Sequence, residues 1–490
     1  MITRGVLSFL ILVVFGFLPN SVFSQRDSQL RAVWVATVAN VDWPTVRTDA
    51  DIQERELIAL IDSLKSCNIN AIFFQIRPTA DCFYKSSLEP WSHYLTGSQD
   101  SAPSRDFDPL DVVIREAHKR CMEVHAWFNP YRVLNSDNID ILSKKHLFYE
   151  NPGLFKWYDK KLYFDPAQQL TRDYLTMIVM DVVLRYDVDA VHFDDYFYPY
   201  KVKGQEFPDD DSFIAENRGF KNKDDWRRDN VNLVIQQLQT AIKAAKPWVQ
   251  FGIGPFGRYE YNYETLYADV LKWMKNGWID YVVPQLYWEI GHKSADFKKL
   301  YDWWADEAEK AGCNFYCGLY ASGLEIYKYQ PWNKPNEVVR QLDFADARGA
   351  DQGSVFYSSH TFLSNKFGLL DSLAGSFYRY PSLAPACRNM KHEASQTPSN
   401  VRYDKAANKL EWDDVVDYNE MSVFCYVVYS AEADEDGTPV DSKHILALTT
   451  DTYLSLDQYA SKLDQCSKFY VTTINRLRCQ SSISNVVSVE

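Results

Sequence analysis

Short apolar runs alternate with longer amphipathic stretches along most of this chain. The runs fall at 31–37, 71–77, 123–128, 190–194, 250–254, 281–287, 315–320 and 354–358. Between them, apolar residues recur at helical spacing over 52–67, 109–120, 170–186, 229–245, 264–276, 295–311 and 336–347. Regular alternation of strand and helix implies a parallel sheet. Eight such repeats predict an α/β fold, a closed (β/α)8 TIM barrel. An open doubly wound sheet is the alternative, weakened because no Gly-rich phosphate loop follows the first strand. Near residue 385 the pattern changes. A Ser/Pro/Thr/Asn-rich stretch over 391–400 reads as a linker. Short alternating strands follow at 410–412, 424–429, 445–449, 453–455, 469–474 and 485–489, which predicts a small all-β sandwich over 401–490.

Residues 1–24 have the form of a secretory signal peptide: Arg4, an apolar stretch from Leu7 to Leu18, and Val22-Phe23-Ser24 before the cut. The barrel is then expected over 25–390, in a periplasmic or secreted protein. Net charge is −14, which argues against a nucleic-acid partner. Nine cysteines are scattered without a CxxC pair, so no zinc site is expected, while one disulfide within the last hundred residues is open. Aromatic residues reach 15%, which suits stacking on sugar faces as well as a large core.

Chemistry concentrates in Val191-His192-Phe193-Asp194-Asp195-Tyr196-Phe197-Tyr198-Pro199. A buried strand that runs into two acids places charge at the C-terminal end of a barrel strand, where barrel active sites are built. Strand parity puts His192 and Asp194 on one face, with His125, Trp127 and Asn129, with Phe73, Gln75 and Arg77, and with Val283, Gln285 and Tyr287 on theirs. Asp194 is the first candidate for a catalytic acid. The partner carboxyl is either Asp195, which equally reads as a cap, or Glu289 after the sixth strand. Arg77 and Asp81 either bind substrate or form a buried ion pair. Asn129 and Tyr131, with Arg132 beside them, offer an amide, a ring and a cation. Asn40, Asp42 and Trp43 occupy the first strand–helix loop. Trp34, Trp43, Trp127 and Trp288 are stacking platforms or core residues, and Tyr196, Tyr198 and Tyr287 surround the acids. His125, His192, Asp194 and Asp195 lack metal-ligand spacing, and no GxSxG elbow occurs. The glycines of Gly252-Ile253-Gly254-Pro255-Phe256-Gly257 permit close approach and are no dinucleotide fingerprint. No cofactor is expected.

Together, the segments Arg31-Ala-Val-Trp-Val-Ala-Thr37, Asn40-Val-Asp-Trp-Pro44, Asn70-Ala-Ile-Phe-Phe-Gln-Ile-Arg-Pro78, His125-Ala-Trp-Phe-Asn-Pro130, His192-Phe-Asp-Asp-Tyr196 and Pro284-Gln-Leu-Tyr-Trp288 resemble the glycosyl hydrolase-like family 10, over roughly residues 29–385. The resemblance implies a TIM barrel, glycosidase activity and a cell-envelope setting. It also implies a polysaccharide substrate, with peptidoglycan glycan strands first, because the set includes a bacterial peptidoglycan glycosidase. Trp412 and Tyr470 resemble core aromatics of a fibronectin type III module, through which the chain could touch another envelope protein. The acids differ from the Asn-Glu arrangement of the xylanase–cellulase clan, so that mechanism does not transfer. The competing readings are a non-catalytic glycan-binding protein and a hydrolase of another extracellular polysaccharide.

Overall fold

The computed structural model describes residues 28–332, 336–416, 422–430, 441–459 and 468–489. The expected leader over 1–24 and Cys466 lie outside them. Eight strand positions form one parallel sheet: β1 (Leu30–Val35), β2 (Ala71–Arg77), β3 (Glu123–Phe128), β4 (Ala190–Phe193), β5 (Gln250–Ile253), β6 (Tyr281–Val282), β7 in two pieces (Asn314–Phe315 and Cys317–Tyr320) and β8 (Gly353–Tyr357). The first piece of β7 pairs with β6 and the second with β8. The two edges of the sheet are therefore neighbouring pieces of one segment, and the sheet closes into a (β/α)8 barrel.

Alternation along each strand sorts the core into two layers. Val33, Val35, Ile72 and Phe74 pack outward under the helices, while Ala32, Trp34, Ala71, Phe73, Ala190, Tyr281 and Tyr316 fill the interior. Small alanines low on β1, β2 and β4 leave room for the rings of Phe73, Tyr281 and Tyr316. The connecting helices start at side-chain caps. Asp49 accepts from the backbone N–H groups of Asp51 and Ile52, and Asp108 from that of Asp111.

Three differences from the sequence expectation have local causes. The helix expected over 264–276 is two short helices, Tyr259–Glu264 and Val270–Lys275, because Tyr267 adopts a left-handed conformation (φ 56°) and Asp269 caps a new start. The ladder of β6 is only two residues long because Pro284 has no N–H to give; single bridges from Gln285 to Phe256 and Gly318 continue it. After β3, a small antiparallel sheet (Arg132–Leu134, Phe155–Tyr158, Lys161–Phe164) is inserted before the next helix.

The C-terminal region forms two antiparallel sheets. One joins Arg402–Asp404, Lys409–Glu411 and Tyr453–Ser455; the other joins Ile445–Thr449, Val423–Ser430, Lys468–Asn475 and Val487–Ser488. Both faces of the larger sheet are covered. Tyr426, Val428, Phe469 and Val471 pack toward Leu410, Trp412 and Leu454 of the smaller sheet. Cys425, Val427, Tyr429, Tyr470 and Ile474 pack with Cys121, which directly precedes the residues leading into β3. Tyr470, expected in the inter-sheet core, thus lies on the barrel side, stacked on Tyr429 at 4.9 Å. The sandwich seats against the N-terminal ends of the barrel strands, opposite the end where β4 delivers its acids. All eight described cysteines carry free thiols.

Candidate active site

Asp194 is the first residue beyond β4, is buried and lines a cavity of about 250 Å³. Its Oδ2 accepts from the indole N–H of Trp127 at 3.1 Å, and the Asn129 side-chain amide donates to both oxygens at 3.1 and 3.3 Å. The Tyr196 backbone N–H donates to Oδ1 at 3.2 Å. Burial pushes the Asp194 carboxyl up to about 7; the Arg132 guanidinium opposes the rise and the neighbouring charge of Asp195 adds to it. Among the described residues, every protein partner of Asp194 is a donor. When the carboxyl is protonated, its O–H therefore has no protein acceptor and is available to the cavity.

Asp195 is also buried, and burial raises its carboxyl, against hydrogen bonds from the Tyr200 hydroxyl and the Gln285 side chain. Gln285 is further tied by its amide to the carbonyl of Gly254 at 2.9 Å. Arg132 lies over the Tyr196 ring, 4.8 Å from its centroid, and donates to the carbonyl of Pro78. Burial and the two aspartates push the Tyr196 hydroxyl up to about 12.

The cavity floor is His192 and Trp34, joined by a 3.2 Å hydrogen bond from the indole N–H to Nε2. Gly254 of the β5 end makes this possible, since a Cβ there would stand 3.0 Å from Nε2 of His192. One wall is a fan of tyrosines: Tyr287 stacks on Tyr320 at 4.6 Å, and Tyr320 on Tyr357 at 6.4 Å, with ring planes 20° apart in both pairs. Gln75 completes the lining. Its Oε1 accepts from the N–H groups of Thr37 and Val38, while its buried Nε2 has no acceptor among the described residues.

The cavity brings together Trp34, Gln75, Trp127, His192, Asp194, Asp195, Tyr196, Gln285 and Tyr287 from the sequence candidates, and Asn129 stands directly behind them on Asp194. Other candidates lie elsewhere. Arg77 does not share the inward face of Gln75. A bulge between Gln75 and Arg77 shifts the register and sets Arg77 opposite Phe128, on the helix side. There it forms a buried two-pronged pair with Glu89 at 2.6 and 2.7 Å. Asp81 is engaged by Thr79, Gln99 and His93. Asp42 is a staple, accepting from Ala36 N–H and from Ser358 and His360. Asn40 joins the carbonyls of Pro44 and Tyr94, and Trp43 is a core ring bonded to the carbonyl of Gln53. Tyr131 is buried in the outer core, and Tyr198 is buried against Asn230 and Tyr267. His125 lies deeper in the barrel, below the cavity, against Phe73 and Tyr281. Trp288 packs on Phe256, and the Glu289 carboxylate accepts from the indole of Trp332 at 3.1 Å, outside the cavity lining. Asp195, rather than Glu289, is thus the carboxyl beside Asp194.

Sequence reasoning passed over Tyr200, Tyr320 and Tyr357 as lining residues. Parity along β7 and β8 would have found the last two; nothing in the sequence marks Tyr200. Among the described residues, no group of three or more His, Cys, Asp or Glu side chains is placed to hold a metal ion.

A (β/α)8 barrel with two buried, adjacent carboxyls under a ring-lined mouth has the parts of a glycoside hydrolase site, and the chain's relatives place it in that class of enzyme. The model of the glycosyl hydrolase-like 10 family matches residues 29–333, and the chain belongs to that family. The glycosyl hydrolase YngK of Bacillus subtilis (strain 168) is 37% identical over 508 aligned positions, covering 98% of each chain and hence the sandwich as well as the barrel. The glycosyl hydrolase DigH of Escherichia coli (strain K12) is 33% identical over 383 positions, covering 70% of this chain and 85% of its own.

Proposed function

We propose that this enzyme cleaves glycosidic bonds within an amino-sugar polymer, peptidoglycan glycan strands first, with Asp194 as the acid and the substrate's own acetamido group as nucleophile. The observation that carries this reading is the juxtaposition of Asp194 and Asp195 on consecutive positions at the end of β4, with no third acid among the described residues of the lining. Two carboxyls on opposite sides of the sugar would serve an enzymic nucleophile or a water base. Adjacent carboxyls serve a substrate that brings its own nucleophile. Asp194 gives its proton to the bridging oxygen as the C1–O bond breaks, while the acetamido oxygen bonds to C1. Asp195, backed by Tyr200, accepts from the acetamido N–H and steadies the positive charge of the cyclic intermediate. Water then loses a proton to Asp194 and bonds to C1, which reopens the ring and restores the acid. The tyrosine fan offers faces for neighbouring sugars.

The sequence resemblance, which includes a bacterial peptidoglycan glycosidase, supports the substrate. The signal-like residues 1–24 support export to the periplasm or medium. The domain limits 25–390 and 401–490 follow from the composition change, and the two-sheet C-terminal unit, three strands against four, suits a fibronectin type III-like module that contacts another envelope component. The test is digestion of glycan strands stripped of stem peptides, beside chitin oligosaccharides and neutral polysaccharides, with products weighed by mass spectrometry. Cleavage confined to N-acetylated polymers, lost in Asp194→Asn, is expected. Full activity of that variant, or binding of every polymer without cleavage, overturns the proposal.

A further inference from the structure

A buried file of polar groups runs from the mouth down the barrel axis to the sandwich. At its top, Trp34 donates its indole N–H to Nε2 of His192. An indole nitrogen only donates, so Nε2 of His192 must be the bare nitrogen. Burial holds this imidazole well below its ordinary value and therefore neutral, which leaves its one proton on Nδ1. Nδ1 lies 3.3 Å from the Tyr281 hydroxyl, which accepts, and that hydroxyl in turn gives its proton to Nδ1 of His125 at 2.8 Å. His125 then carries its proton on Nε2, 3.0 Å from Glu123. The donor at the top and the anionic acceptor at the bottom impose the same order on every proton in the file.

The bottom belongs to the other domain. Arg478 sits in the turn after the strand Lys468–Asn475, in a left-handed conformation (φ 63°), and is buried. Its guanidinium donates to Glu123 through Nε and to Asp189 through Nη2 at 2.6 Å. Burial raises both carboxyls, but Arg478, with His118 at 2.8 Å from Asp189, reverses the effect and holds both below the usual range. Tyr316 and Cys387 also face Glu123, while His125 faces Glu123, Tyr281 and His192.

We propose that Arg478 is a positioning residue for the catalytic floor: by keeping Glu123 an anionic acceptor, it fixes the protons of His125, Tyr281 and His192 beneath Asp194. The proposal rests on the reading of the Asp194–Asp195 cavity as the active site. Without the guanidinium, Glu123 is a buried unpaired anion and takes a proton from solvent. A neutral carboxyl can accept as before or donate to Nε2 of His125, so the order of the file is no longer fixed; in the donating form it reverses throughout. His125 donates from Nδ1 to Tyr281, and Tyr281 to Nδ1 of His192. The last proton arrives on Nε2 of His192, where it meets the indole N–H of Trp34 head-on. Two donors cannot share that 3.2 Å contact, so one of the two floor side chains must move.

The test compares the full chain, Arg478→Met and the double variant Arg478→Met/Glu123→Gln by histidine-selective ¹⁵N NMR and by turnover. The wild type is expected to show His192 protonated at Nδ1 and His125 at Nε2. Arg478→Met should populate the inverted tautomers beside the wild-type ones and lower kcat by roughly ten- to a hundred-fold, the scale of a misplaced active-site group. In the double variant the amide cannot shift a proton between its two ends as a carboxyl can, so with its NH2 turned to Asp189 its carbonyl stays the acceptor for His125; it should recover the wild-type tautomers and kcat within a few-fold. Wild-type tautomers and rate in Arg478→Met overturn the proposal, as does a double variant no better than the single one. If Arg478→Met does not fold, the double variant decides alone. Folded with wild-type tautomers it supports the proposal, and unfolded it overturns it. An active Asp194→Asn variant would defeat the catalytic reading separately, since the tautomers are read without substrate.

Discussion

The Tyr200 hydroxyl donates to the carboxylate of Asp195, across the short turn that follows β4. The same carboxylate draws on Gln285, so two donors from different strand ends hold one acid in the mouth. Burial and the charge of Asp195 in turn push the Tyr200 hydroxyl well above its ordinary value, so it stays a donor across any working pH. Tyr200→Phe should leave the fold intact and lower kcat by about ten- to a hundred-fold, with a smaller change in KM. Steady-state kinetics on the preferred glycan decide this; a rate equal to wild type would remove Tyr200 from the mechanism.

Asp194 makes a pH prediction with a definite sign. Its folded value, about 7, stands above the ordinary 3.8. The folded state therefore holds the proton more tightly, and the stability this confers is complete below about pH 4 and lost as pH rises toward 7. The ionised state is less stable on the order of 4 kcal/mol. Denaturant melts should show Asp194→Asn gaining on wild type as pH rises from 4 to 7, and nearly matching it at pH 4 and below. Activity should fall along an alkaline limb near pH 7, where Asp194 loses the proton it gives to the leaving oxygen.

Two glycines on β5 and just beyond it should respond differently. A Cβ on Gly252 would stand 2.1 Å from the ring of Tyr281, so Gly252→Ala should cost about 3 kcal/mol or more, or abolish folding. A Cβ on Gly254 meets only the edge of His192 at 3.0 Å and Trp34 at 3.6 Å. Gly254→Ala should fold, with its deficit in turnover rather than in melting temperature. Thermal melts and kcat measured side by side separate the two.

Arg77 should matter to folding rather than to sugar. Glu89→Ala leaves its guanidinium buried and unpaired, which costs about 3–5 kcal/mol. The double variant Arg77→Met/Glu89→Met should regain most of that loss and keep the wild-type KM. A raised KM in the folded double variant would show that the guanidinium does reach substrate.

The barrel was legible because its signal is repeated. Eight apolar runs at strand length, separated by amphipathic stretches, leave few folds to choose from, and parity along β2, β3 and β4 gathers Gln75, Trp127, His192 and Asp194 without any coordinates. Parity failed at Arg77 because it assumes an unbroken ladder, and one extra residue between Gln75 and Arg77 reverses the face. Loop residues were harder still. Asp42, Asn40 and Glu289 carry groups that suit sugar binding, but their hydrogen bonds go to Ser358, to the carbonyls of Pro44 and Tyr94, and to Trp332, partners far away in sequence or on the backbone. Arg478 drew no notice at all. Nothing around it in the sequence tells that two acids from another domain await its charge.

That last contact bears on how the chain can be cut. Its Ser/Pro-rich junction invites trimming to a barrel-only fragment for expression or crystal growth. Such a fragment would carry two carboxylates, Glu123 and Asp189, facing water or a void where a cation had been. The protein is modular in its residue pattern, yet in its charge balance the two halves are a single unit.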